Sequence, residues 1–164
     1  MRPAILAIIM LEICGLCWGQ KVRFNPASEA EVVDRARKAP PDDHARAQHI
    51  KALFRETGCT AVREQNVEGL PEPNIICELH GDASRTIIVG AHYEAPAIPG
   101  SIDNWSAAAA LPGLYQCLKG AKRNHRILFV AFADRAGQAA AAEYFAAHLS
   151  DEELRNTQAM INLD

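Results

Sequence analysis

The sequence predicts an α/β fold, and three observations carry that expectation. Thr86-Ile87-Ile88-Val89-Gly90-Ala91 and Ile127-Leu128-Phe129-Val130-Ala131-Phe132 are continuous apolar runs, the pattern of strands covered on both faces by helices. A helical stretch over residues 104–118 lies between them and another over 138–149 follows the second. Ala159-Met160-Ile161-Asn162-Leu163 then forms a third apolar strand. Strand, helix, strand, helix, strand builds a mixed, mostly parallel sheet between two helical layers, a three-layer αβα arrangement. With 164 residues, the chain suffices for one such domain and not for two.

Taken in order, the elements begin with a leader. Met1-Arg2 is a short cationic start, and Pro3 to Trp18 is an apolar run broken by Glu12. That layout predicts a signal peptide over residues 1–19 and a domain over 20–164, exported to a periplasmic or extracellular space. An uncleaved membrane anchor is the alternative; cleavage leaves no stable membrane span. Ser28-Glu29-Ala30-Glu31 has capping-box spacing before a helix carrying Val32, Val33 and Ala36, stopped by Pro40-Pro41. Asp42-Asp43 opens a second helix with Ala47, Ile50, Leu53 and Phe54 on one side, and Gly58 closes it. Two short strands follow, 60–67 and 74–80, separated by the turn-rich Gly69-Leu70-Pro71-Glu72-Pro73. The alanine-rich tracts 107–110 and 139–142 read as helix.

Composition narrows the function. Lys and Arg total 17 against 20 Asp and Glu, so the chain lacks the basic excess that reading nucleic-acid phosphates requires. Aromatics at 6% also argue against a base-stacking platform. Beyond the leader stand Cys59, Cys77 and Cys117. Three scattered cysteines make no zinc knuckle and allow at most one disulfide; the expectation is that all three are small buried hydrophobes.

In sheets of this kind functional residues collect beyond the carboxyl ends of the strands. His92 and Glu94 follow the first long strand, Asp134 and Arg135 the second, and Asp164 the third, while Asp103 precedes the intervening helix. A histidine and several carboxylates at one sheet edge make an N/O donor set suited to zinc. The other five histidines, including His80, His125 and His148, read as surface residues.

Quoted together, Gly90-Ala91-His92-Tyr93-Glu94, Asp103-Asn104-Trp105-Ser106-Ala107 and Asn162-Leu163-Asp164 resemble the M28 family of zinc exopeptidases. Glu72-Pro73-Asn74-Ile75-Ile76 and Tyr144-Phe145 add to the likeness, which runs from about residue 26 to the end. The resemblance implies a phosphorylase/hydrolase-like zinc exopeptidase fold and removal of N-terminal residues from peptides by metal-activated water. It further implies that His92 and Asp164 are ligands of one zinc, that Asp103 is the bridging aspartate, and that Glu94 orients His92.

The likeness breaks at one motif. Anchored on Phe132 and Tyr144-Phe145, the family's Glu-Glu pair falls on Arg135-Ala136. The first glutamate is the general base and the second a ligand of the other zinc. Arginine stays protonated and alanine has nothing to donate. A register shifted by one puts Asp134 at the base position but leaves Arg135 at the ligand position. The sequence as it stands also stops before the family's late histidine and the rest of the fold. The expectation is therefore a degenerate site holding one zinc at most, with a peptide as substrate or ligand and turnover impaired. The alternative is a non-catalytic exported domain that binds a peptide or serves as a complex subunit, with a partner chain over the apolar sheet edge. Glutaminyl cyclase chemistry shares the fold but also needs a glutamate base.

Overall fold

The computed structural model describes residues 25–95, 104–134 and 139–163. Helix α1, Glu29–Arg37, starts after Ser28, but the Ser28 side chain makes no capping bond. The expected capping box does not form, because Glu31 turns along the helix to pair with Arg35, one turn on. Helix α2, Asp43–Glu56, is capped as expected by Asp42, which accepts from Ala45 N at 2.7 Å. It ends at Gly58, whose φ of +93° is the left-handed exit that glycine supplies without strain. Strands β1, Val62–Gln65, and β2, Asn74–Leu79, follow. Then come β3, Thr86–His92, helix α3, Trp105–Leu118, and β4, Arg126–Phe132. Helix α4, Ala140–Ala147, is followed by α5, Asp151–Asn156, and β5, Thr157–Leu163.

Sequence periodicity gave no sign of α5. It has six residues, none of them buried, so it carries no apolar stripe. A complete capping box between Ser150 and Glu153 holds it instead.

The five strands are ordered β1-β2-β4-β3-β5. β3 runs parallel to both β4 and β5, while β2 is antiparallel to β1 and β4. Only β2 therefore opposes the other strands, which is the mixed, mostly parallel sheet expected. Ring contacts identify the layers. Phe129 of β4 meets Phe54 of α2 and Tyr115 of α3, at 6.5 and 6.0 Å between centroids. Phe132, three residues on and so on the opposite face, meets Phe145 of α4 at 5.7 Å. Helices thus cover both faces of the central strands.

Two expectations need correction. Cys59 and Cys77 are not separate hydrophobes; they form a disulfide tying the exit of α2 to β2, while Cys117 is free. The fold brings their backbones to a Cα separation of 6.4 Å, a proximity that sequence spacing does not show. His49 and His125 are not surface residues but half-buried, the His49 ring lying 5.5 Å from that of Trp105. At the sheet edge, β5 pairs with β3, and Met160 and Ile161 remain 53% and 49% exposed.

Candidate metal centre

β3 and β4 end side by side, with His92 in register with Phe132. Two residues before His92, Gly90 makes room for this arrangement. A Cβ at that position would lie 2.5 Å from Phe132 Cε2, so only glycine lets the Phe132 ring lie so close to β3. The His92 ring then meets Phe132 edge-on at 6.2 Å, and the His92 side chain stays one-third exposed.

The backbone after His92 is held by α2. Arg46, buried, donates from Nη1 to the carbonyls of Glu94 and Tyr93, the latter at 3.3 Å, and from Nε to Pro40 O at 3.1 Å. Its guanidinium lies 5.7 Å from the centre of the Trp105 ring. Asp43 accepts from Ala95 N. The Tyr93 hydroxyl donates to Pro73 O at 2.7 Å, and burial raises its phenol far above the ordinary range, so it remains a neutral donor.

Glu94 is 6% exposed. Its Oε1 accepts from Asn104 Nδ2 at 2.9 Å, whereas Oε2 is buried without a hydrogen-bond partner among the described residues. Burial pushes this carboxyl upward; its own backbone amide and His92 oppose the rise, and Asp134 and Asp43 add to it. Asn104 has φ +59°, an unusual conformation for a non-glycine residue, as the chain enters α3. Glu94 is expected to orient His92. Among the described residues its carboxylate is instead hydrogen-bonded to Asn104, through Oε1.

Asp134 is fully buried. Its Oδ1 accepts from Ala141 N and its Oδ2 from Ala142 N, at 3.2 Å, so it caps α4 from a distance. Asn74, also buried, supports the same corner. It accepts from Ala133 N at 3.1 Å and donates to Ala141 O at 3.0 Å. Oδ2 of Asp134 lies 3.7 Å from His92 Nε2.

The fold therefore brings His92, Glu94 and Asp134 to one sheet edge. The expected ligands Asp103 and Asp164 lie outside the described residues, as do the degenerate positions Arg135 and Ala136. Of their described neighbours, Asn104 bonds Glu94, and Leu163 is paired with Ala91, the residue before His92. Among the described residues, no three His, Cys, Asp or Glu side chains gather into a metal-binding group. The donor types present suit a zinc-like ion: an accessible imidazole nitrogen on His92, carboxylate oxygens, and one orphaned buried oxygen on Glu94.

Sequence reading missed Arg46 and the bonding roles of Asp43 and Asn74. Only for the capping of α4 did a signal exist. Ala139, at the N-cap, has no side chain that can accept, so the cap had to come from elsewhere.

Comparison with known proteins decides the ancestry. The family model for peptidase family M28 matches residues 74–164, more than half of the chain. This chain belongs to peptidase family M28. It is 29% identical over 124 residues to aminopeptidase YwaD of Bacillus subtilis (strain 168), a match covering 75% of this chain and 26% of that protein. The chain thus spans about a quarter of the curated relative it matches. Among solved structures, BSAP, a zinc aminopeptidase from Bacillus subtilis, superposes with a TM-score of 0.52 at 28% identity, over 57% of this chain and 24% of that one. A glutaminyl cyclase from an Acidobacteriales bacterium superposes with a TM-score of 0.65 at 19% identity, over 89% and 61% of the two chains, which shows a shared fold.

Proposed function

We propose that this M28 chain carries an aminopeptidase-type zinc site centred on His92, Asp103 and Asp164, in which hydrolysis is impaired. The observation that carries the reading is His92 at the end of β3, with the buried carboxylates of Glu94 and Asp134 at the same sheet edge. When bound, zinc supplies Lewis acidity to a substrate carbonyl and lowers the pKa of water. The chain's own residues do the rest. His92 donates an imidazole nitrogen, Arg46 and Asp43 fix the backbone that follows it, and Glu94 and Asn104 brace each other across the entry to α3.

The impairment is read from Arg135-Ala136, which stand where the family has its glutamate base and a second-zinc ligand. Loss of a positioned general base costs about 10²–10⁴ in rate. Asp134 reaches the base position only in the register shifted by one, which leaves Arg135 at the ligand position. Zinc-loaded chain assayed on aminoacyl anilides is expected to turn over at least about a hundredfold more slowly than a BSAP-type enzyme. Turnover within tenfold of such an enzyme contradicts the reading. No turnover with retained peptide binding would favour the non-catalytic alternative.

We also propose residues 1–19 as a signal peptide, residues 20–164 as the exported domain, and a partner chain over the β5 edge. The Cys59–Cys77 disulfide supports export, since such bonds persist in oxidising compartments. Among the described residues no helix is long and apolar enough to cross a membrane.

A further inference from the structure

We propose that Asp134 is a ligand, sharing one zinc-like ion with His92. The proposal rests on the reading of His92 as a metal ligand and adds a donor that neither the family motif nor its ungapped alignment supplies.

The separation of His92 Nε2 from Asp134 Oδ2 is 3.7 Å. A direct charge-assisted N–H···O bond would hold them at about 2.7–2.9 Å. Two donors on one zinc, each at about 2.0–2.2 Å, lie about 3.3–3.6 Å apart at a tetrahedral angle and somewhat farther at a wider one. The observed gap is too long for the hydrogen bond and close to the span of a shared ion.

Asp134 is also built to hold that position. The amides of Ala141 and Ala142 fix its two oxygens, and Asn74 ties both Ala133 and Ala141, so the carboxylate and the start of α4 form one braced unit. A carboxylate oxygen that accepts one N–H keeps a second lone pair, so Oδ2 can meet the amide of Ala142 and an ion together. His92 is the one cationic or potentially cationic side chain paired with this buried carboxylate among the described residues. An ion at the pair adds the compensating charge that a buried carboxylate requires. With Asp134 fully buried and His92 one-third exposed, the ion enters from the His92 side. One imidazole and one carboxylate, with no thiolate, select zinc, cobalt(II) or manganese(II) over soft ions.

The test uses the purified chain and two substitutions. Zinc titration of wild type, His92→Ala and Asp134→Asn, each first checked for folding by circular dichroism, is expected to show at least a tenfold loss of affinity in both variants. Asparagine keeps one of the two oxygen acceptors that α4 uses, and circular dichroism reads whether the fold survives loss of the other. Asp134→Cys loaded with cobalt(II) is expected to show a sulfur-to-cobalt charge-transfer band absent from the wild type, which identifies residue 134 as a ligand even if Asp134→Asn proves unstable. Zinc affinity unchanged in folded Asp134→Asn, or cobalt bound by Asp134→Cys without the band, overturns the proposal while leaving His92 as a ligand. Failure of the wild type to bind either ion overturns the metal centre as a whole.

Discussion

Asn104 donates its side-chain amide to Glu94 Oε1 at 2.9 Å while its own backbone sits at φ +59°. One residue thus makes both the strained entry to α3 and the described bond to a buried carboxylate, and the two contributions can be separated. Asn104→Gly loses the side chain but tolerates the backbone; Asn104→Ala loses the side chain and strains it. Alanine is expected to be less stable than glycine by about 1 kcal/mol, the reverse of their order inside a helix. Urea unfolding of the pair measures this, and equal stabilities would show that the left-handed turn carries no cost.

The carbonyl of the same Glu94 accepts from Arg46, which also serves Tyr93 and Pro40. Replacement of Arg46 with methionine fills much of the space but strands these carbonyls in a dry corner. The expected loss is about 2–4 kcal/mol, at about 1–3 kcal/mol for each unsatisfied buried group and with partial relaxation. Lysine should not restore it, since a compact ammonium lacks the separate Nε and Nη1 donors that reach Pro40 on one side and Tyr93 and Glu94 on the other. Full stability in Arg46→Lys would argue against the clamp.

Cys59 and Cys77 are 18 residues apart in sequence, and closing a loop of that size stabilises the fold by about 3 kcal/mol. The Cys59→Ser/Cys77→Ser chain is expected to unfold at correspondingly lower urea concentration. A loss below 1 kcal/mol would mean that packing already restrains this loop in the unfolded chain.

Acid dependence should be legible at α5. The backbone amide of Ser150 holds the Glu153 carboxyl below its ordinary value; desolvation opposes this, and the Ser150 hydroxyl, Arg126 and Arg63 lower it further. A carboxyl whose folded value lies below its unfolded one contributes stability above the unfolded value of about 4.3 and loses it as pH falls through the folded value. The stability gap between wild type and Glu153→Gln is therefore expected to be full above about pH 5 and to close toward more acidic conditions. A gap that widens on acidification contradicts the sign.

Much of the fold was legible because its central strands are buried on both faces and so read as unbroken apolar runs. His92 was legible for a related reason, since strand ends place polar residues at one sheet edge. Arg46, Asn74 and the capping role of Asp134 were not. Arg46 reaches Tyr93 and Glu94 across 47 and 48 positions, and Asn74 reaches Ala141 across 67. No local pattern marks which buried polar group will satisfy which distant backbone atom. The Cys59–Cys77 bond was hidden similarly, because chain spacing does not reveal which cysteines become neighbours. Helix α5 escaped because a short polar helix is held by its cap and not by a packed face.

The central claim is that His92 anchors a single metal ion in this M28 domain. Metal content of the purified chain, measured by mass spectrometry after zinc loading and dialysis, tests it most directly beside His92→Ala. The account predicts about one zinc per wild-type chain and none retained by His92→Ala. Two zincs per wild-type chain, or equal retention by the variant, would contradict it.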